Sequence, residues 1–337
     1  MGAAVGPYDF AQARKDIVRA LGRDTIVRIH RKSGWIDFFG IVGLYGLFAL
    51  NVWFLGQNDR ANPLWWVAFV LQGFVIMAFG YLLHDVCVHR RVGGRRFSYW
   101  LGVVSGILSF QPYSQYGHTH HDHHDYTGTD EDEAYKQDLD TRVRRFLYLT
   151  PIGYFLAFWR FLRRNFPPKW PAPEGSFGPV PNRWLIVRET AIILLAYVGI
   201  YLAWRTWKDP VQYGFLLPAL LVLPIANTFR LILEHAETNE QNNFHCATYY
   251  RTGWLTRPLF FWDAGDCHLV HHVFPGIPWY RMGEACDTLR PYLVEQGVRE
   301  RRSLWELTYG YFVKGYEHRT LWPTGPAPAP AEAVARS

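Results

Sequence analysis

Four stretches of the chain are apolar on every side and long enough to cross a membrane. Residues 36–55 (IDFFGIVGLYGLFALNVWFL) and 64–83 (LWWVAFVLQGFVIMAFGYLL) form one pair, joined by the polar loop GQNDRANP. A second pair runs over roughly residues 189–206 (ETAIILLAYVGIYLAWRT) and 211–233 (VQYGFLLPALLVLPIANTFRLIL), joined by WKDP. At a rise of about 1.5 Å per residue, about 20 residues cover the hydrocarbon core of a bilayer. Core helices of a water-soluble protein are shorter or carry a polar face, and these four do neither. The pattern predicts two transmembrane hairpins.

Between the hairpins lie two shorter apolar stretches, 99–110 (YWLGVVSGILSF) and 146–162 (FLYLTPIGYFLAFWRFL), which are expected to be interfacial or re-entrant helices. Residues 166–182 (FPPKWPAPEGSFGPVPN) read as an extended Pro-rich linker, and residues 323–337 (PTGPAPAPAEAVARS) as a disordered tail. The expected organisation is an N-terminal segment over 1–35, a membrane domain over 36–285, a further extramembrane part over 286–322 and the tail. In class this is an all-α polytopic membrane protein with four spans in two hairpins, interfacial helices and a cytoplasmic metal-binding cap.

Composition agrees: 49% of the 337 residues are hydrophobic and 17% aromatic. The mean hydropathy of −0.10 is low for a polytopic protein, so much of the chain must lie outside the bilayer. Charge sets the orientation. Arg14, Lys15, Arg19, Arg23, Arg28, Arg31 and Lys32 precede the first span, and Arg90, Arg91, Arg95 and Arg96 follow the second, whereas the two hairpin loops carry one base each. The positive-inside rule places both termini and the long central segment in the cytoplasm. That asymmetry accounts for the net charge of +6, and no basic and aromatic motif points to nucleic acid. Residues 1–35 are charged throughout and do not read as a cleavable signal. Cys87, Cys246, Cys267 and Cys286 form no CxxC pair and fall on the cytoplasmic side of this topology, so all four are expected to be free thiols.

The chemistry is in the histidines. HTHHDHH occupies residues 118–124, and the later HLVHH places His268, His271 and His272 in an H-x-x-H-H spacing. Within the earlier run only His120, His123 and His124 fit that spacing, which leaves His118 and His121 as neighbours. His84 and His89 (HDVCVH) lie where the second span ends, and His235 (LEH) where the fourth does. A polar loop explains one such histidine, but not nine from four stretches on one side of a membrane. Neutral imidazole is a ligand for iron, copper, zinc and nickel, and nine rings exceed one tetrahedral site, so two metals are the economical count. On a helix the first histidine of H-x-x-H-H lies about 60° from the second and about 40° from the third, so all three can face one site. His84 and His89 stand five apart, about 140° round an ideal helix, so the helix must end or distort between them, or the two must reach different metals.

Three boxes in this order, with a hairpin before each half, resemble the membrane fatty acid desaturase and hydroxylase superfamily, whose pattern is HxxxxH or HxxxH, HxxHH and a late HxxHH. The resemblance runs over roughly residues 35–285, and HHDYTGTDEDE and HHVFPGIPWY after the second and third boxes look like family sequence too. It implies a non-haem centre of two iron ions, ligated by His84, His89, His120, His123, His124, His268, His271 and His272, with His235 as the extra ligand of some members. It also implies O2 as co-substrate and hydrogen abstraction from an unactivated aliphatic carbon of a lipid, with two electrons supplied per turnover. Asp85, Asp122, Asp125, Glu234 and Asp266 are candidates for hydrogen bonds that fix ring tautomers, or else ordinary solvated acids. Arg230, one turn before Glu234, either pairs with it or snorkels. His245 is expected at the surface, and Cys87 and Cys267 are left out because thiolate beside an O2-activating iron oxidises readily.

No cytochrome b5, flavin or iron–sulfur motif is visible, so the electron donor is expected to be a separate ferredoxin-like or cytochrome b5-like protein, and the basic cytoplasmic surface suits an acidic one. The leading expectation is fatty acyl desaturation. A carotenoid or other lipid hydroxylase or ketolase would carry the same boxes. A metal transporter would place ligands near the bilayer midplane, where these spans have none, and a bis-His haem site would not call for vicinal HH pairs.

Overall fold

The computed structural model describes residues 9–127, 146–147, 149–153, 155–156, 159, 183–235, 244, 246–251, 253, 257, 267–301, 304–309 and 312–313. The Pro-rich linker, the C-terminal tail, Asp266, His245, His318 and most of 146–162 lie outside the described residues. Among those described there are no strands, only an isolated parallel bridge between Tyr250 and Arg301.

Four helices are long and apolar enough to cross a membrane, at Arg23–Gln57, Pro63–His89, Trp184–Thr206 and Lys208–His235, and each contains one of the expected spans. The first comprises α2 (Arg23–Ile29) and α3 (Gly34–Gln57). Ser33 caps α3 by accepting from the Ile36 N–H. The second is α4 (Pro63–Tyr81), with Asn62 as its cap and Pro63 in its first turn, continued by a π-helical extension, Leu82–His89. The third is α7 (Arg183–Thr206). The fourth, α8 (Lys208–His235), is α-helical at Lys208–Val211 and Leu223–His235 and π-helical at Gln212–Leu216 and Pro218–Val222.

The spans are not equivalent. Only 17% of the apolar window is buried in the Arg23–Gln57 and Trp184–Thr206 helices, against 61% in Pro63–His89. Trp53, Leu194 and Leu195 are open on the outer helices, a surface that suits lipid and not water. The inner pair, α4 and α8, approach closely at Gly73, where a Cβ would lie 2.4 Å from Val222. There the Gln72 amide donates to the Gly214 carbonyl at 2.7 Å, giving a buried polar group a partner inside the apolar bundle.

Between the hairpins lie α5 (Arg95–Leu108), which covers most of the first interfacial stretch, and α6 (Tyr113–Tyr126). After α8 come α9 (His268–Val273), α10 (Met282–Glu295) and α11 (Leu304–Tyr309). The N-terminal helix α1 (Phe10–Leu21) closes over this part: Phe10, Ala13 and Ile17 share a core with Leu269, Val270, Val273, Ala285 and Leu289. The cap is thus built from both ends of the chain.

Candidate metal centre

The 140° problem at His84 and His89 is solved by winding. From Leu82 the helix continuing α4 adopts i→i+5 hydrogen bonding, and the Arg90 N–H reaches the Asp85 carbonyl at 3.0 Å. Residues five apart then become near neighbours. The two rings stand 4.9 Å apart, centroid to centroid.

The H-x-x-H-H motifs behave differently from the expectation that all three rings of each face one place. Five nitrogens, from His84, His89, His120, His124 and His271, come within 4.8 Å of one another, and so do four, from His123, His235, His268 and His272. Each motif therefore sends its outer pair, four apart on one helix face, to one group and its middle histidine to the other. The helix turns through about 100° per residue, so vicinal histidines face different ways and each HH step bridges the groups. The groups touch: the His124 and His272 rings are 4.3 Å apart. His118 and His121 join neither group; His118 lies 3.6 Å from Asp122.

Local chemistry tests whether a metal ion fits. In the first group the Nε2 atoms form a chain, His89 to His120 at 2.9 Å, His120 to His124 at 3.0 Å and His124 to His271 at 3.1 Å; in the second, His268 and His272 meet at 3.1 Å. Two nitrogens bound at right angles to one metal at about 2.1 Å stand about 3 Å apart. Burial favours the neutral ring at five of them: it holds His120, His124, His268 and His272 well below the usual imidazole value and lowers His271 to about 3. Buried neutral imidazoles with their Nε2 lone pairs converging repel one another unless a cation lies between them. The residues fit a metal in each group.

Thr127 supplies a tautomer control that sequence reasoning missed. Its hydroxyl donates to the His123 carbonyl and accepts from His272 Nδ1 at 3.3 Å. The proton then sits on Nδ1, which leaves Nε2 free to bind. Tyr116 stacks on His120 with ring centroids 5.5 Å apart.

Two of the acids proposed from the sequence, Asp85 and Glu234, take part in buried ion pairs. Asp85 touches no ligand ring; Arg90 donates to it from Nε at 2.9 Å and from Nη2 at 2.7 Å, and donates to both oxygens of Asp37 at 2.8 and 3.0 Å. Arg90, read from the sequence as an orientation signal, is a buried base with no side-chain exposure. Removing one partner from such a buried ion cluster costs about 3–5 kcal/mol. Glu234 likewise accepts from the Tyr81 hydroxyl at 2.9 Å and pairs with Arg230 at 3.3 Å, so the Arg230 pairing forms. Asp125 lies close enough to Arg14 to act on its charge.

Glu189, the first residue of the third apolar stretch, is fully buried and accepts from the Ser114 N–H at 2.7 Å and the Ser114 hydroxyl at 2.6 Å. It caps the free first turn of α6 across helices, because that turn begins at Pro112 and has no side-chain cap of its own.

The expectation of four free thiols fails at one pair. Cys267 and Cys286 form a disulfide with Cα atoms 6.2 Å apart, while Cys87 and Cys246 are free and buried. Packing of α10 on α9 brings together two cysteines 19 residues apart, and no local spacing motif signals that.

A family model for fatty acid desaturases matches residues 60–303. The chain belongs to the fatty acid desaturase family. It is 24% identical over 306 residues to an sn-1 acyl-lipid omega-3 desaturase (ferredoxin) of Synechocystis, covering 84% of this chain and 79% of the relative. It is 25% identical over 271 residues to a Delta(12) acyl-lipid conjugase (11E,13E-forming) of Impatiens balsamina, covering 71% of this chain and 69% of the relative. Membership makes the chain a multi-pass membrane oxidoreductase acting on lipid, with iron-dependent chemistry.

Proposed function

We propose that the protein is an O2-dependent acyl-lipid desaturase in which His84, His89, His120, His124 and His271 hold one iron and His123, His235, His268 and His272 hold a second. The convergence of nine histidine nitrogens, eight of them on buried residues, into a five and a four, where two membrane-long helices end, carries this reading. The irons would supply what no side chain here can, the reductive activation of O2. The balance is two hydrogens removed from adjacent methylenes, two electrons and two protons from outside, and O2 reduced to two waters. The chain's own part is to keep the imidazoles neutral, to set their tautomers through groups such as Thr127, and to exclude bulk water from the centre.

The substrate, on this reading, is an acyl chain of a membrane lipid, as the names of both relatives say of those enzymes. The donor is a separate ferredoxin-type protein, the one named for the Synechocystis relative. The histidine groups and both termini face the cytoplasm, a placement supported by the exposed bases Arg91, Arg95 and Arg96 beyond the second span.

Expression in a host that lacks the activity, followed by mass analysis of acyl chains with double bonds located, is the test. Chains two hydrogens lighter with the wild type and absent with His271→Ala are expected. An added hydroxyl or keto oxygen, or a product confined to pigments, would overturn desaturation in favour of oxygenation.

A further inference from the structure

The first histidine pair differs from the others in what brings it together. His120 and His124, and His268 and His272, stand four apart on α-helix, where the backbone alone aligns them. His84 and His89 converge only through a π-turn, a winding used in single turns because its backbone geometry is less favourable. Such a turn needs an outside constraint.

The constraint is present, and it spans the same residues. Asp85 directly follows His84, and Arg90 directly follows His89. Their backbones close the turn, Arg90 N–H to Asp85 carbonyl at 3.0 Å, and their side chains close it again through two donated bonds at 2.7 and 2.9 Å. Asp37 then anchors Arg90 to α3 with a two-oxygen grip, and Asp85 accepts from the Trp279 backbone, which follows the third box. All three side chains are at most 4% exposed. None of the three touches a ligand ring, so their influence on the centre passes through the helix they hold.

We propose that Asp37, Asp85 and Arg90 are positioning residues that maintain the π-turn and so make the five-histidine group competent to bind metal, independently of the four-histidine group. The inference rests on reading the two groups as metal sites. It assigns α3, which contributes no histidine to either group, an indirect part in one of them, through Asp37.

The test is metal binding by the purified full-length protein, measured as metal per chain and by chelator competition with Co(II), whose visible spectrum reports coordination. Wild type, Asp37→Asn, Arg90→Lys, His84→Ala and the Asp37→Asn/His84→Ala double variant are compared. Asp37→Asn keeps the side-chain volume, and Arg90→Lys keeps the charge but loses the planar fork that serves both acids. Two ions per chain are expected in the wild type. In each single variant one ion should stay at wild-type affinity while the other weakens by about tenfold or more. The double variant should bind no worse than His84→Ala. Retention of both ions at wild-type affinity in Asp37→Asn and Arg90→Lys, or equal loss of both ions with aggregation, would overturn the proposal. A wild type that binds fewer than two ions would instead remove the reading on which it rests.

Discussion

The two histidine groups use one ligand type and sit side by side, yet they are supported in different ways. The five-histidine group takes two ligands from the end of a membrane helix that must leave α-geometry to present them, and a buried ion cluster reaching α3 backs that helix. The four-histidine group takes its i, i+4 pair from α9, a regular helix, and its other two histidines from the last residue of α8 and the last turn of α6. Around it stand Thr127 on His272, the Phe10 ring 6.4 Å from the His272 ring, the Thr248 N–H bound to the Glu234 carbonyl beside His235, and an ion pair, Glu234 with Arg230. Ligand chemistry therefore does not dictate the scaffold. The two-acid cluster centred on Arg90 stands at the one pair whose helix leaves α-geometry, and the four-histidine group has the Glu234–Arg230 ion pair beside it.

The largest effect expected is on activity. His120→Ala and His272→Ala, one from each group, should each lower desaturation by more than about a hundredfold, beyond the 10–100-fold range of outer-partner losses. Product analysis with one of them near wild-type activity would show that the groups are not both needed. Arg90→Ala leaves two carboxylates buried together, and should destabilise the protein by about 3–5 kcal/mol. Calorimetry or denaturant titration in detergent would read that loss, and an effect no larger than that of Thr127→Val would break the contrast between the two supports.

Glu189→Gln weakens the cap on α6, which serves both groups, so a cost of about 1.5–3 kcal/mol should accompany similar weakening of both metals. Loss of one metal only would assign Glu189 to a single group. Acid should act on the metal-free protein through the neutral histidines. His271 has its folded value lowered to about 3, below the 6.5 of the unfolded chain. The unfolded state then binds more protons, and stability is complete above about pH 6.5 and falls as pH drops toward 3, by about 1.4 kcal/mol per unit for such a group. A stability flat from pH 7 to pH 5 would contradict this burial. Thr127→Val should be smallest, about 1 kcal/mol, with a modest loss of metal affinity confined to the four-histidine group.

Several of these features are legible in the amino-acid sequence. The spans stand out because the bilayer demands long runs without polar groups, six of the nine histidines because their spacing repeats, and the other three because they sit where spans end. A distortion between His84 and His89 follows from five residues not fitting an α-turn, and the π-turn is the form it takes. Arg90 is not legible as a brace: its partner Asp37 is 53 residues away, and a base beside a span reads equally well as an orientation signal. Glu189 looks like a span-end charge for the same reason, since nothing local marks it as the cap of a helix 75 residues earlier.

Local periodicity and side-chain chemistry are enough to specify the membrane hairpins, the ligand type and the helix faces on which the ligands sit, and all of that is written in neighbouring residues. The division into five and four, the ionic brace from α3, the cross-helix cap on α6 and the Cys267–Cys286 link come from the assembled fold. Those depend on which distant helices meet, and burial gives a pairing its strength only after they have met.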